Sequence, residues 1–229
     1  MALYAIGDTH LSLNSNKSME VFGVGWENYV ERLKEGFSEV RENDTVVLCG
    51  DLSWGMSLQE AEKDFAFLDH ELPGEKWILK GNHDYWWGTA NKMNSFFQEK
   101  GFTRLHILHN NCALYGEVAL CGTRGWFFEE NGSPHWEKVF NRELIRLEAS
   151  LKAAGEREKI CFLHYPPLYK GYRCEEIIEL MTRYGVQACY YGHLHGPSHR
   201  LAIQGEQDEI NYQLVAADFI GFKPKKILE

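Results

Sequence analysis

Apolar residues come in short runs along this chain, and several runs share an ending. Residues 3–6 are apolar and are followed by Gly7, then Asp8, Thr9 and His10. Residues 46–49 repeat the pattern and stop at Gly50 and Asp51. Residues 77–79 lead through Lys80 and Gly81 to Asn82, His83 and Asp84. Residues 160–163 end in His164, with Pro166 and Pro167 beyond, and residues 186–191 end in Gly192, His193, Leu194 and His195. Short apolar runs bounded by turn formers predict buried strands. Each of these strands would deliver polar side chains at its carboxyl end, where ligands bind in open α/β sheets.

Between the runs the period changes. Val30, Leu33, Phe37 and Val40 fall at helical spacing and predict an amphipathic helix over 26–42. Ser57 with Glu60 three residues later has the capping-box form, with Phe65, Leu68 and Leu72 as the buried face before Pro73 and Gly74. A short helix over 91–100 closes at Gly101. Residues 105–108, 113–115 and 118–121 predict short antiparallel strands, with turns at Asn110, Asn111 and Gly116. A polar and aromatic loop over 122–134 precedes a long helix from Trp136 to Gly155, carrying Leu144, Leu147 and Leu151. A loop over 166–173, a helix over 175–184 and final strands over 201–203 and 212–216 complete the chain. This alternation is α/β, with a hairpin-rich second half.

The strand ends carry the chemistry. A carboxamide, an imidazole and a carboxylate at one tip are costly to bury without partners. A metal or a substrate is the usual compensation, and the residue types gathered here, Asp, His and Asn, are metal-competent.

Composition narrows the class. The chain has 229 residues, 44% hydrophobic and 25% charged, as in an ordinary globule. No Pro-, Gly- or Ser-rich linker divides it, so residues 1–229 read as one domain. No run of eighteen apolar residues offers a membrane span, and the first strand begins too early for a signal peptide. Six cysteines without a C-x-x-C pair predict buried, reduced thiols and a cytoplasmic location. The formal net charge of −9 disfavours nucleic acid as a partner. The basic residues Lys223, Lys225 and Lys226 read as a solvated tail. Nothing in the sequence sets an oligomeric state.

Taken together, Asp8-x-His10, Gly50-Asp51, Gly81-Asn82-His83-Asp84, His164 and Gly192-His193-x-His195 resemble the signature of the metallophosphoesterases, the calcineurin-like superfamily, here of a small single-domain kind. The resemblance runs from Asp8 to His195. It implies a four-layer α/β/β/α sandwich of two mixed β-sheets flanked by helices. It also implies a phosphohydrolase with two divalent metal ions, Mn, Fe or Zn foremost, with Co or Ni as further options. By resemblance, Asp8, His10, Asp51 and His195 hold the first metal, and Asp51, Asn82, His164 and His193 the second, with Asp51 shared. Hydroxide between the metals would attack phosphorus while His83 protonates the leaving oxygen, a contribution typically worth about 10²–10⁴-fold. The expected substrate is a small phosphate mono- or diester such as a nucleotide. The competing readings are a metal-dependent nuclease, disfavoured by acidity and the lack of a DNA-contacting domain, and a non-catalytic scaffold, disfavoured because every ligand position and His83 are present.

The chain departs from the phosphoprotein-phosphatase branch, which has Gly-Asp-x-x-Asp-Arg-Gly after the second strand. Here Trp54 stands where an Asp would orient the histidine, and Gly55 where an Arg would grip phosphate. Asp84 is therefore a candidate to orient His83, and Arg124, in a glycine-flanked loop, a candidate phosphate clamp, with Arg173 behind it. Trp54, Tyr85, Trp86, Trp87, Trp126, Phe127 and Phe128 either pack under loops or form a stacking wall for a flat leaving group. His70, His106 and His109 read as structural. His135 could cap a helix or touch substrate, and His199 could support the metal loop.

Overall fold

Strand β1 (Leu3–Ile6) sends Leu3 and Ala5 to one side and Tyr4 and Ile6 to the other, and both sides are buried. The same two-sided burial holds for β2 (Thr45–Leu48), whereas β3 (Glu75–Ile78) buries Lys76 and Ile78 and leaves Glu75 and Trp77 half-buried. A strand covered on both faces reads as a continuous apolar run, which is how residues 3–6 and 46–48 appear in the sequence. The computed structural model describes residues 1–15, 17–126 and 134–229, with the backbone alone at residues 24 and 134–136. Phe127, Phe128 and the side chain of His135 lie outside that description.

The first sheet has the order β13-β1-β2-β3-β4, with β4 (Leu105–Ile107) and β13 (Lys225–Leu228) at its edges. Strands β1 to β4 run parallel, and β13 runs antiparallel to β1. Strands β5 (Cys112–Tyr115), β6 (Val118–Thr123), β7 (Glu158–Leu163), β10 (Val186–Tyr191), β11 (Gly205–Gln207) and β12 (Ile210–Leu214) form the second sheet, in the order β11-β12-β10-β7-β6-β5. The small hairpin of β8 (Leu168–Tyr169) and β9 (Tyr172–Arg173) lies outside both.

Packing makes four layers. The sheets meet through Leu3, Ala5, Val47, Leu79, Leu120, Ile160, Phe162 and Tyr190. On the far side of the first sheet, α1 (Tyr29–Gly36), α2 (Glu62–Ala66) and α3 (Ala90–Lys100) supply Leu33, Phe65, Met93 and Phe97. On the far side of the second, α4 (Pro134–Ala153) and α5 (Glu175–Arg183) bury Leu147, Leu151, Ile177 and Met181. The expected sandwich of two mixed sheets flanked by helices is what forms. Gly7 stitches the sheets together at the β1 tip, donating to Val215 O at 2.8 Å and accepting from Ala217 N at 3.0 Å. Among the described residues no helix is long and apolar enough to cross a membrane.

Several sequence expectations need correction. Residues 105–107 pair parallel to β3 in the first sheet, because α3 supplies the crossover that a parallel neighbour needs. The helix over 26–42 is only α1 plus a 3₁₀ turn at Phe37–Glu39, and Gly36 where they join lies so close to Phe222 O that a Cβ there would come within 2.1 Å. Residues 201–203 are not a strand; the hairpin is β11–β12, turning through Asp208 and Glu209 at φ 52° and 63°. That is the backbone of a primed hairpin turn, formed without the Asn-Gly or Asp-Gly pair that marks such turns in sequence. Lys225 and Lys226 are not a solvated tail but part of an edge strand, where lysines discourage further pairing.

Candidate metal centre

The carboxyl ends of β1, β2 and β3 face those of β7 and β10, and the predicted ligands meet there. Asp8, His10, Asp51 and His164 are essentially buried, and Asn82, His193 and His195 are half-buried. Two knots of donors form. In one, His195 Nε2 is 3.2 Å from Asp8 Oδ1 and 3.3 Å from His10 Nε2. In the other, Asn82 Oδ1 is 2.6 Å from His164 Nε2 and 3.0 Å from His193 Nδ1. Asp51 Oδ2 lies between them, 3.7 Å from His10 Nε2 and 3.5 Å from His164 Nε2. Asp8, His10 and His195, and likewise Asp8, Asp51 and His164, each bring one donor atom to within 4.8 Å of the others.

The backbone is bent to achieve this. Asp8, His10, Asp51 and His193 all sit at positive φ, between 44° and 72°, a region that non-glycine residues avoid. Each such residue costs about 1–3 kcal/mol, and such strain collects where the surroundings over-determine a functional geometry. Two glycines allow the close approach. A Cβ on Gly81 would come within 2.0 Å of Asp51 Oδ1, and one on Gly192 within 2.3 Å of Asp8 Oδ2.

Asp84 holds the frame rather than His83. Its Oδ2 accepts from Asp51 N at 2.9 Å and Gly81 N at 2.7 Å, and its Oδ1 from Leu52 N at 2.8 Å, Ser53 N at 3.4 Å and Trp86 Nε1 at 3.0 Å. Burial pushes its pKa up to about 6, with the N–H donors pulling the other way, so at neutral pH it is an acceptor carboxylate tying the β2 tip to the β3 tip. The expectation that it orients His83 is therefore not met. Among the described residues His83 Nδ1 has no hydrogen-bond partner. The ring is held by packing instead, with Trp54 at 4.6 Å and His10 at 5.7 Å, and its backbone N–H donates to Asp51 Oδ1 at 2.7 Å.

Electrostatics favour a cation. Burial raises the Asp51 carboxyl, and Asp84 and Asp8 beside it raise it further. Burial lowers His164 and His193 to about 3 each, leaving them neutral, the form that binds metals. At His195 burial opposes the charge, but the Asp8 and Asp218 carboxylates overcome it and raise the pKa to about 10. His83 is lowered by burial and then by His195. Buried carboxylates packed together with neutral imidazoles and a carboxamide oxygen form a donor set that fits a divalent transition metal.

Asp218 is the site residue that the sequence reading missed. Its Oδ1 accepts from His195 Nδ1 at 2.9 Å, and its Oδ2 accepts from Gly196 N at 3.0 Å and lies 3.1 Å from His199 Nε2. His164 is fixed in the same manner by Cys49 O, 3.0 Å from its Nδ1. Such outer partners set the tautomer and aim of a ligating imidazole. The signal was present, since Leu214, Val215, Ala216 and Ala217 form another apolar run that ends in a carboxylate. Trp26, predicted to open a helix, instead packs 5.8 Å from His10 and 5.7 Å from His195.

The remaining candidates divide. The Arg124 carbonyl accepts from His164 N at 3.1 Å and Tyr165 N at 2.8 Å, so its backbone fastens the His164 tip. Its guanidinium lies 3.7 Å from buried Glu143, and Nε has no partner among the described residues. Arg173 is on the surface, paired with Glu175 and Asp208 at 2.9 Å each, and does not reach the centre. Trp54 stacks on His10, and Tyr85 stands 6.1 Å from His83. Trp86 is core, against Phe65, while Trp87 and Trp126 pack near His109 and Phe140. His70 and His106 pair with Asp69 and Glu75.

The family model described as calcineurin-like phosphoesterase matches residues 1–197. The chain belongs to this family. Calcineurin-like phosphoesterases hydrolyse phosphoric esters with divalent metal cofactors, so the protein is a metal-dependent phosphoesterase, and the donor set above suits that requirement. Asp218 lies beyond the matched segment. No curated protein matches the chain. Among solved structures, a protein of unknown function from Aquifex aeolicus is 13% identical, with a TM-score of 0.53 over 98% of this chain and 95% of its own. A protein of Thermus thermophilus is likewise 13% identical, with a TM-score of 0.52 over 99% of this chain and 97% of its own. At that identity the likeness speaks to the fold alone.

Proposed function

We propose that residues 1–229 act as one domain that binds two divalent cations and hydrolyses a phosphate mono- or diester of a small molecule, a nucleotide being one such ester. Asp8, His10, Asp51 and His195 would hold one cation, and Asp51, Asn82, His164 and His193 the other. The observation that carries this reading is Asp51 Oδ2, within 3.7 Å of an imidazole from each knot and so able to serve both. The cations would supply an activated water nucleophile and neutralise phosphate charge.

The chain's own residues do the rest. The Asp84 strut and the left-handed tips keep the donors in place without substrate, so little reorganisation is needed on binding. Trp54 excludes water from one side of His83 and fixes its ring by contact. His83, whose Nδ1 has no partner among the described residues, would deliver a proton to the departing oxygen. Arg124, beside the His164 tip, would hold a phosphoryl oxygen. Hydrolysis of p-nitrophenyl phosphate and of its bis-ester with added Mn²⁺ tests the proposal. Turnover that chelation abolishes and Asp51→Asn removes together with bound metal supports it. Metal-loaded protein that turns over neither ester contradicts it.

A further inference from the structure

Trp54 has two sides, and only one belongs to the metal centre. Its inner side stacks on His10 at 5.2 Å and meets His83 at 4.6 Å. Its outer side is a wall of a groove of about 270 Å³ whose other walls are Lys17, Ser18, Val21 and Phe22. Val21 and Phe22 are 80% and 68% exposed, although both are large and apolar. They are held in place: the 3₁₀ turn Met19–Phe22 is capped by Ser18, Met19 is buried, and Met19 Sδ accepts from Trp54 Nε1 at 3.4 Å. Lys17 Nζ lies over the Trp54 ring at 5.8 Å and reaches Met56 Sδ, and Met56 is itself half exposed. Two large exposed apolar side chains on a capped turn, one indole away from the proposed general acid, form a binding surface that adjoins the site across Trp54.

The lining selects the occupant. A nucleobase needs several partners for its edge groups, and the groove offers two, the Ser18 hydroxyl, which accepts from Glu20 N, and the Lys17 ammonium, which lies over the Trp54 ring and reaches Met56 Sδ. The remaining walls, Val21, Phe22 and the Trp54 indole, are apolar. Building on the function proposed above, we infer that this groove takes the apolar alcohol portion of the phosphoester substrate, an alkyl or aryl group that crosses the edge of Trp54 while its phosphoryl group sits at the metal centre. The ester bond would then lie at His83, which would protonate the ester oxygen as its bond to phosphorus breaks, so that the alcohol leaves into the groove.

A homologous series tests this, because primary alkyl phosphates differ in apolar length but hardly in leaving-group basicity. With Mn²⁺-loaded protein, kcat/KM should climb from ethyl through butyl to octyl phosphate by about two- to fourfold for each methylene the groove buries. Phe22→Ser should flatten that climb, and Val21→Ser should do so in part. Leu114→Ser and Ile145→Ser, which remove exposed apolar side chains outside the groove, should leave it intact. A climb that is flat in the parent, or equally steep in Phe22→Ser, overturns the groove while ethyl phosphate turnover still upholds the parent reading. If no ester is turned over, that parent reading fails, and calorimetry decides the groove: octyl phosphate must bind more tightly than ethyl phosphate, and Phe22→Ser must erase the difference.

Discussion

Asp84→Asn separates a structural strut from a catalytic orienter. The substitution turns one of two acceptor oxygens into an NH₂ donor. If the amide nitrogen replaces Oδ2, it faces the N–H groups of Asp51 and Gly81, now at 2.9 and 2.7 Å. The alternative rotamer sets it against Leu52, Ser53 and Trp86 instead. The milder choice breaks two hydrogen bonds to a charged acceptor, each worth about 1.5–3 kcal/mol, and leaves two buried donors unsatisfied. Partial relaxation brings the expected loss to about 3–5 kcal/mol, a large share of the roughly 5–15 kcal/mol that stabilises a typical domain. Urea unfolding monitored by tryptophan fluorescence, with chelator present so that metal does not contribute, should show the midpoint falling by about 1–2.5 M at an m of about 2–3 kcal/mol/M. Bound metal should fall as well, because Asp51 N is one of the groups released. A variant that loses less than about 1 kcal/mol and keeps its metal, yet loses turnover, would refute the strut and return Asp84 to His83.

Three further outcomes follow from the geometry. Asp218→Asn should weaken metal binding about 10–100-fold in a titration, by loosening His195, while leaving the urea midpoint within about 0.5 M; unchanged affinity would remove Asp218 from the site. His83→Asn should keep its metals and lose about 10²–10⁴-fold in kcat on an ester with a poor leaving group, and full turnover would exclude the proton-donor role. Lys76 is buried with its ammonium donating to Leu72 O, and burial lowers its pKa to about 8, with Arg104 adding to the effect and Asp69, Glu75 and Glu42 opposing it. Its charge is therefore penalised in the folded state below pH 8, and the penalty fades as pH rises towards the unfolded value. Stability measured against Lys76→Met should thus improve between about pH 8 and 10.5, by no more than about 3 kcal/mol, and a pH-independent difference would refute the assignment.

The site was legible in the sequence where chemistry sits at the end of an apolar run. Asp8, His10, Asp51, Asn82, His164, His193 and His195 each follow such a run closely, so strand burial and side-chain delivery are written in one pattern. Asp218 ends a run too, but a single carboxylate without a glycine or histidine beside it carries no motif. Asp84 was identified as important for the wrong reason, because sequence does not say which way adjacent side chains point. Here His83 turns towards Trp54 and Asp84 towards the backbone of the β2 tip. Alternation reports faces but not direction, which is why β4 was expected to run antiparallel. In β13 the lysines at 225 and 226 hid the edge strand that Ile227 and Leu228 help to anchor against the inter-sheet core. Five of the six cysteines are buried as expected and Cys112 is half-buried, and Cys112, Cys121, Cys161 and Cys189 stand in register across β5, β6, β7 and β10.

Anomalous diffraction from crystals grown with Mn²⁺ tests the central claim most directly. Two peaks are expected, about 3.5–4 Å apart, both touching Asp51. One should be ringed by Asp8, His10 and His195, and the other by Asn82, His164 and His193. A single peak that Asp51 does not touch, or none with the histidines rotated away from the two aspartates, would contradict it.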